Sequence, residues 1–278
     1  MDNGKKAKGM RHLFLAAGGI FLTLFLISAG YLLYSGIIEQ KSEEQYAELR
    51  TLTVAVENVS TKKPEPDQKP AAEKTNQLAS GTLYEIPEKN IDFTALQSEN
   101  KDIYAWIYIP GTKVDYPILQ HPKDDTYYLN YNIDGSKGYP GAIYSELCNS
   151  KDFTDKQTVL YGHNMKNKTM FGSLHNYEDA QFFQQNNYIY IYTEKKNYIY
   201  QIFAAYEYSS VHLVYGFDFT TPEIFQSYID GIFANDNIRA NINHNVPVTS
   251  ADKLLTLTTC ISGKPDNRYL VQGVLLNP

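Results

Sequence analysis

The stretch KLLTLTTCISGKPDNRYLVQGVLL, residues 253–276, decides the fold. Two apolar runs rich in β-branched residues flank a turn-forming Ser-Gly-Lys-Pro-Asp-Asn segment, which is the pattern of a β-hairpin. Cys260 ends the first run and Arg268 opens the second, so the hairpin brings Arg268 back close to Cys260. Because turn formers follow Cys260, we expect its side chain to be exposed at the rim of a rigid frame.

Short strand-like runs dominate the region around this hairpin. They are rich in β-branched and aromatic residues and are bounded by Gly, Pro, Asn or Asp. The runs are DIYAWIYIP, VDYPIL, GAIYS, QTVLYG, YIYIYT, NYIYQIFAAYEY, KLLTLTTC and RYLVQGVLL. Helices are expected over FTALQSENK, capped near Asp92, over MFGSLHNY and DAQFFQQN, and over TPEIFQSYIDGIFAN with Pro222 in its first turn. Many strands and few helices predict an all-β-dominated closed barrel with helices at its rim.

The composition excludes several classes of protein. The 278 residues are 43% hydrophobic and 20% charged, which is ordinary for a globular protein, and a net charge of −6 argues against general binding to nucleic acid. Cys148 and Cys260 form no CxxC pair and no disulfide framework, so we expect free thiols, with a single bridge between them as the alternative. The sequence has no phosphate loop, GxSxG elbow, HExxH pair or calcium loop, which leaves the thiols and the histidines as candidates for chemistry.

The N-terminal region has the pattern of a membrane anchor. Residues 13–38 carry no charge, and such a span is long enough to cross the hydrocarbon layer of a bilayer. Basic residues precede this span and acidic residues follow it (Lys5, Lys6, Lys8 and Arg11; Glu39, Glu43 and Glu44). The positive-inside rule therefore predicts a cytoplasmic tail over 1–12, a transmembrane anchor over 13–38 and an extracellular remainder. The alternative is a cleaved signal peptide, whose apolar core is normally shorter.

A linker is expected between the anchor and the folded domain. Its main part, VSTKKPEPDQKPAAEKTNQLASG, is rich in Pro, Lys and Glu and lacks aromatic residues, so it cannot bury enough apolar surface to order itself. The sequence thus predicts an extracellular stalk over 39–82, with 39–50 able to extend the anchor as a polar helix. The folded domain is expected over 83–278, which is the size of one domain.

Three side chains are the candidates for chemistry. His163 follows Gly162 at the end of the run QTVLYG, and a glycine there allows close approach to another strand. Taken singly, each could be ordinary, since a turn histidine, a buried free cysteine and a surface arginine are all common. Solvation, or a position at the end of the membrane span, explains the other histidines (His12, His121, His175, His212 and His244). Together, however, Cys260, His163 and Arg268 suit acyl transfer. The thiol would be the nucleophile, the imidazole would act as general acid and base, and the guanidinium would stabilise the oxyanion.

These residues lie in recognisable motifs. TLTTC, residues 256–260, matches the TLxTC signature of sortases, the cell-wall transpeptidases of Gram-positive bacteria. YGHNM with MFGSL around His163, the opening DIYAWIYIPGTKVDYPILQ and the insert TPEIFQSYIDGIFAN resemble the class B branch. The resemblance covers about residues 88–276. Within it, the short spacing between Cys260 and Arg268 is the one departure from the class B pattern.

The resemblance implies a fold, a site and a reaction. It implies the eight-stranded sortase β-barrel, with Cys260 as nucleophile, His163 as general acid/base and Arg268 as the group that holds the oxyanion or positions the substrate. Tyr161 and Thr258 would line the substrate groove, and Thr259 could contribute to the oxyanion hole. The cysteine would cleave a C-terminal sorting motif of NPxTx or xPxTG type after Thr, and an amine would then resolve the thioester, without any cofactor.

The implied partners are surface proteins that carry sorting signals and, as acceptor, a lipid-linked peptidoglycan precursor. Within the class, a pilin polymerase that uses a Lys acceptor is the first alternative. A surface cysteine protease, with water as acceptor, is the second, although CGSCW and QACxG segments are absent. A catalytically silent adhesin is disfavoured because it would not need Cys260, His163 and Arg268 together.

Overall fold

The computed structural model describes residues 3–54, 76–77 and 83–278. The chain divides into two compact units, residues 1–45 and 46–278. Much of the segment predicted as a stalk, residues 55–75 and 78–82, lies outside the described residues. The second unit begins at Tyr46, inside the range 39–82 of that prediction, because the end of the first helix belongs to the folded domain.

The N-terminal helix α1 runs from Asn3 to Thr51 and contains a stretch, Ala17–Thr51, long and apolar enough to cross a membrane. Its last turns lie in the second unit, where Tyr46 donates a hydrogen bond to the carbonyl of Gly141 (2.9 Å) and packs edge-on against Tyr116. The strand Thr53–Val54 then pairs with Asn90–Ile91. These contacts fix where the chain enters the folded domain.

Eight strands form a closed barrel, as predicted from the sequence. In chain order, β1 to β8 are Ile103–Tyr108, Asp115–Leu119, Ile143–Tyr144, Gln157–Tyr161, Tyr188–Tyr192, Asn197–Ser209, Leu254–Ile261 and Lys264–Leu275. Around the barrel the order is β6–β8–β7–β4–β3–β2–β1–β5, and β5 pairs with β6 to close the ring. The β2–β3 and β4–β7 pairs are parallel and the others are antiparallel.

Strands β7 and β8 form the hairpin that the sequence predicts. Cys260 and Arg268 are directly opposed in the register, and Gly263 allows the tight turn because its φ of +78° lies in the left-handed region. On its other edge β7 pairs in parallel with β4, with Thr258 opposite Tyr161. The ends of three strands thus meet at one rim.

The helices lie outside the barrel. They are α2 (Phe93–Glu99), α3 (Tyr127–Asn130), α4 (Ala180–Gln185), α5 (Leu213–Gly216) and α6 (Pro222–Phe233). Helix α2 begins at Asp92 as predicted, since the Asp92 carboxylate accepts from the Ala95 N–H (2.9 Å). The segment predicted as helical over MFGSLHNY is a 3₁₀ helix, Gly172–Glu178.

Apolar side chains are buried on both faces of β7 and β8. One face, with Leu255, Leu257 and Val271, fills the barrel around Trp106. The opposite face packs under α6 in a second cluster, whose members include Phe203, Phe225, Tyr228, Ile229 and Leu270. Burial on both faces explains why these strands read as continuous apolar runs rather than as alternating ones.

Candidate active site

Cys260 lies where β7 leaves the barrel. Thr258 and Thr259 are buried, whereas Cys260 is exposed and its thiol is free. The hydroxyl of Thr259 donates to the carbonyl of Gly162 (2.8 Å), and the Gly162 N–H donates to the carbonyl of Thr258 (3.2 Å). These two bonds fasten the end of β4 to the end of β7, next to the thiol.

Glycine is required at position 162. A Cβ there would lie 2.5 Å from Ile143 Cδ1 and 2.7 Å from the ring of Phe171, closer than carbon atoms pack. The missing side chain therefore leaves room for the side chains of Ile143 in β3 and Phe171, which pack against the backbone just before His163. The sequence predicted close approach of another strand at this glycine, and the close neighbours are these two side chains.

The imidazole of His163 is half-buried and its tautomer is fixed by the backbone. Nε2–H donates to the carbonyl of Leu129 (2.7 Å), which leaves Nδ1 as the nitrogen that can exchange a proton. Burial lowers the pKa of His163, and the hydrogen bond to Leu129 opposes this effect because it favours the charged ring. Tyr139 covers the ring at a centroid distance of 4.7 Å.

The guanidinium of Arg268 is oriented by its own strand. Nη1 donates to the carbonyls of Pro265 (2.8 Å) and Asn267 (2.9 Å). Because a guanidinium carries five N–H donors, these bonds hold the group and leave other donors for a ligand. Burial is the largest cause of the raised pKa of Tyr144; Glu146 and Cys260 raise this pKa further, and Arg268 lowers it.

The structure thus brings Cys260, Arg268 and the segment of His163 to one end of β4, β7 and β8. The residue after His163, Asn164, donates through Nδ2 to the carbonyl of Cys260 (3.0 Å). The catalytic roles assigned to the three side chains stay a prediction. The coincidence of their positions depends on the parallel β4–β7 pairing, which joins segments about a hundred residues apart in the chain.

The residues predicted to bind substrate differ in what they can offer. Tyr161 lies on the same rim, stacked on Tyr144 at 5.3 Å, and its hydroxyl contacts Glu146 and His212 at 3.3 Å each. Thr258 and Thr259 are 6% and 2% exposed. Since the Thr259 hydroxyl is already bonded to the protein, these two threonines shape the rim rather than present free hydroxyls.

Two histidines that solvation was expected to explain have specific partners instead. His175, with its side chain 12% exposed, contacts Glu178 through Nδ1 (2.6 Å) and the carbonyl of Cys260 through Nε2 (3.1 Å). His212 contacts the carboxylate of Glu146. The sequence interpretation of both was wrong, and no local pattern signals the contacts with Cys260 and Glu146, because these partners are distant in the chain.

Glu146, Cys148 and His212 have ligand atoms within 4.8 Å of one another, a combination that can bind a transition metal. The hydrogen bonds argue against such a site. Nδ1 of His212 accepts the N–H of Tyr215 (3.2 Å), so a neutral ring carries its proton on Nε2, the nitrogen that faces Glu146. This nitrogen donates to the carboxylate and has no lone pair for a metal, and the cluster is a polar wall of the rim.

Exposed apolar side chains lie beside His163 and on the side of Cys148. Leu129 and Tyr139 lie beside His163, with 39% and 61% of their surfaces exposed. On the side of Cys148, the exposed residues are Leu147, Val211 and Tyr215. Large apolar side chains exposed on two flanks of a reactive group are typical of a groove that binds an extended ligand.

Comparison with known proteins shows the family of this chain. The sortase domain family matches residues 107–276. Sortase B of Listeria monocytogenes is 34% identical over 183 residues, 65% of this chain and 72% of that protein. Sortase B of Staphylococcus aureus is 31% identical over 168 residues, 60% of this chain and 67% of that protein.

Solved structures give the same result. Sortase B from B. anthracis in complex with AAEK1 superposes with a TM-score of 0.59 and 30% identity, over 67% of this chain and 84% of that one. Clostridium perfringens sortase B gives a TM-score of 0.60 and 28% identity, over 66% of this chain and 99% of that one. The family match covers more than half of the chain. The chain therefore belongs to the sortase family, in class B, and is a cysteine transpeptidase.

Proposed function

We propose that this sortase cleaves a C-terminal sorting motif of NPxTx or xPxTG type after Thr and joins the Thr carbonyl to an amine of the peptidoglycan precursor. It would thereby anchor secreted surface proteins to the cell wall. The observation that carries the proposal is the exposed Cys260 thiol at the barrel rim, opposite Arg268 and next to the segment of His163.

In the first step the Cys260 thiol gives its proton to His163 and its sulfur attacks the carbonyl carbon of the Thr. Collapse of the tetrahedral intermediate breaks the amide C–N bond, and the leaving amine takes the proton from the imidazolium. In the second step the acceptor amine attacks the thioester carbonyl carbon and loses a proton to neutral His163; the C–S bond breaks, and the departing Cys260 thiolate takes this proton back. Atoms and protons balance over the two steps without a cofactor.

The lowered pKa of His163 defines its part in this cycle. With unperturbed pKa values, the thiolate–imidazolium state of a Cys–His pair is about one part in a hundred of the neutral pair. Burial lowers the pKa of His163 and makes that state rarer still. Nδ1 therefore serves chiefly as the acid that protonates the leaving amine, a role favoured by a weakly basic imidazole.

Arg268 supports the developing negative charge. Its guanidinium is opposite Cys260 in the hairpin and is held by two backbone carbonyls, so it is oriented before substrate binds. A preoriented cation near the tetrahedral oxygen stabilises the transition state more than the ground state. We assign Arg268 to the oxyanion or to the carbonyl next to it.

The groove between the two apolar flanks would hold the sorting motif in an extended form. Tyr161 provides an aromatic wall, with its hydroxyl held by Glu146 and His212. Thr258 and Thr259 contribute through the backbone and through the shape of the groove floor, because their side chains are buried. This arrangement suits a motif that contains Pro, since a proline ring packs well on apolar and aromatic surfaces.

A membrane anchor would hold the enzyme near its substrates. We propose a single pass through the cell membrane with residues 1–12 in the cytoplasm and the catalytic domain outside. The support is the uncharged span 13–38 with basic residues before it and acidic residues after it. Secreted proteins held at the membrane and lipid-linked precursors meet the active site on that face.

The full chain in detergent micelles provides the test. Peptides with NPxTx or xPxTG motifs should be cleaved after Thr, and intact mass spectrometry should detect the acyl-enzyme on Cys260. Added triglycine should divert product from hydrolysis to a new amide. Cleavage at another bond, or no acyl-enzyme on Cys260, would contradict the proposal.

The acceptor is tested in the same assay. A lysine-bearing pilin-type peptide that resolves the thioester faster than any wall-type amine would replace the anchoring function by pilin polymerisation. Hydrolysis that no amine can divert would indicate a protease. Transfer to the wall-type amine supports the function proposed here.

A further inference from the structure

The carbonyl oxygen of Cys260 is held by two side chains from outside its own strand. Nδ2 of Asn164 lies 3.0 Å from it and Nε2 of His175 lies 3.1 Å from it. Backbone carbonyls in a sheet normally accept from backbone N–H groups of the neighbouring strand. Side chains therefore replace the backbone at the residue that carries the thiol.

The reason is that the β4–β7 ladder ends just before this point. The Gly162 N–H donates to the carbonyl of Thr258, and the next carbonyl on the same edge of β7 is that of Cys260. Strand β4 has ended at Tyr161, and the chain turns away after His163. The Asn164 amide fills the vacant ladder position with its side chain.

His175 is itself held on two sides. Glu178 accepts from Nδ1–H (2.6 Å), and the ring stacks on Tyr269 with a centroid distance of 4.9 Å. Nε2 also lies 3.0 Å from Asn164 Nδ2. A neutral ring thus accepts from Asn164 and orients its amide, and a protonated ring donates directly to the Cys260 carbonyl. Either form fixes the same oxygen.

We propose that Glu178, His175 and Asn164 form a hydrogen-bonded chain that positions the nucleophile. Through Asn164 this chain ties the backbone of Cys260 to the residue that follows His163, so that thiol and imidazole keep the spacing acyl transfer needs. The proposal rests on the proposed role of Cys260 as nucleophile. The three are positioning residues, since they act through the backbone and not on the substrate.

Two substitutions of one residue separate hydrogen bonding from packing. His175→Phe keeps a ring to stack on Tyr269 but removes Nε2 and Nδ1. His175→Gln gives up the ring but keeps an amide that can bond Asn164 or the Cys260 carbonyl. The control is His244→Phe, because His244 also packs against an aromatic ring, that of Phe233 (5.6 Å), on the side of α6.

The experiment measures kcat and KM for peptide transpeptidation with the full chain in micelles. His175→Phe should lower kcat by about 10- to 100-fold, which is the cost of a small misplacement of reacting groups, with KM changed less than about twofold. His175→Gln should recover most of this loss, and His244→Phe should match the parent chain.

A thiol-labelling experiment separates positioning from damage to the thiol. In a Cys148→Ser background only Cys260 can react, since the chain has two cysteines. Iodoacetamide should alkylate Cys260 at the same rate, within about twofold, with His or Phe at position 175, because a small reagent needs no alignment. If His175→Phe does not fold, Glu178→Ala is the substitute, because the Glu178 side chain is 50% exposed and ends the hydrogen-bonded chain of the three side chains. We expect it to lower kcat about three- to tenfold.

An unchanged kcat in His175→Phe, or an equal loss in His175→Gln, would overturn the proposal. Failure of the proposed function has a different signature, since Cys260→Ala would then keep transpeptidase activity whatever residue occupies position 175. The two failures are therefore distinguishable in one set of assays.

Discussion

The two thiols of this chain lie on the same rim in opposite environments. Cys260 is exposed at the end of β7, opposite the cation of Arg268. Cys148 is half-buried in the loop between β3 and β4, beside the carboxylate of Glu146. Burial, Glu146 and Asp125 raise the pKa of Cys148 to about 11. At pH 7 only about one such thiol in ten thousand is ionised, so Cys148 is a poor nucleophile.

The two thiols differ in burial and in neighbouring charge. Burial and two carboxylates raise the pKa of Cys148, whereas Cys260 is exposed and lies opposite Arg268 in the strand register. The predictions below test this contrast, from the largest expected effect to the smallest.

Removing each sulfur in turn should give the largest contrast. We expect Cys260→Ala to lower transpeptidation by at least about 10³-fold, because no other group can form the acyl-enzyme. Cys148→Ser should stay within about twofold of the parent chain. Initial rates on a fluorogenic sorting peptide measure both. Comparable losses in the two variants would remove the basis of the contrast.

Changing the cation opposite Cys260 should have the next largest effect. Arg268→Lys keeps the charge but loses the planar fork that bonds Pro265 and Asn267, so the cation is no longer oriented. We expect kcat/KM to fall by about 10- to 100-fold, mainly through kcat. The exposed Arg239→Lys is the matched control. A rate within twofold of the parent would show that Arg268 does not touch the transition state.

The sequence predicts the local part of this arrangement well. The hairpin that opposes Cys260 and Arg268 follows from two apolar runs and a turn, and all eight barrel strands follow from their composition. The strand order cannot be derived in that way. Neighbouring strands such as β4 and β7 are far apart in the chain, so their pairing depends on global packing and not on local pattern.

The residues that the sequence did not reveal were missed for the same reason, because their partners lie far away in the chain. Asn164 and His175 act on a carbonyl about ninety positions away, and no spacing in the sequence marks them. The boundary at Tyr46 was missed for a related reason. Tyr46 and Leu49 lie in a largely polar helical segment but are buried in the domain, at 2% and 4% exposure. Only their three-dimensional neighbours reveal their role.

A substitution near the start of β7 should lower the stability of the protein without changing catalysis at Cys260. The hydroxyl of Thr256 accepts from the buried amides of Gln157 and Gln272 (2.7 Å each), beneath α6. Thr256→Val leaves both amides short of an acceptor, so the free energy of unfolding should fall by about 1–3 kcal/mol. Urea unfolding measures this. The exposed Thr94→Val should change it by less than about 0.5 kcal/mol.

In Thr256→Val, kcat and KM for the folded enzyme should remain within twofold of the parent values. A large loss of kcat without a loss of stability would mean that the buried half of β7 controls the thiol. In that case the local environment of Cys260 would not explain its reactivity.

The smallest effect should appear in the titration of Cys148. In a Cys260→Ala background it is the remaining thiol, and its alkylation rate should rise about tenfold per pH unit towards the pKa of about 11. Glu146→Gln removes a negative charge that raises this pKa, so the curve should move to lower pH and the rate at pH 8 should increase several-fold. An unshifted curve would remove Glu146 from the causes of the raised pKa and leave burial and Asp125.

The raised pKa of Cys148 also predicts how the stability of the protein changes at alkaline pH. Because the folded-state pKa of Cys148 lies above that of an unfolded thiol, about 8.5, the unfolded chain holds fewer protons between that value and about 11. The contribution of Cys148 to stability is therefore complete below about pH 8.5 and is lost as the pH rises towards 11. Cys148→Ser should flatten this alkaline loss in urea unfolding, whereas Cys260→Ala with Cys148 intact should retain it.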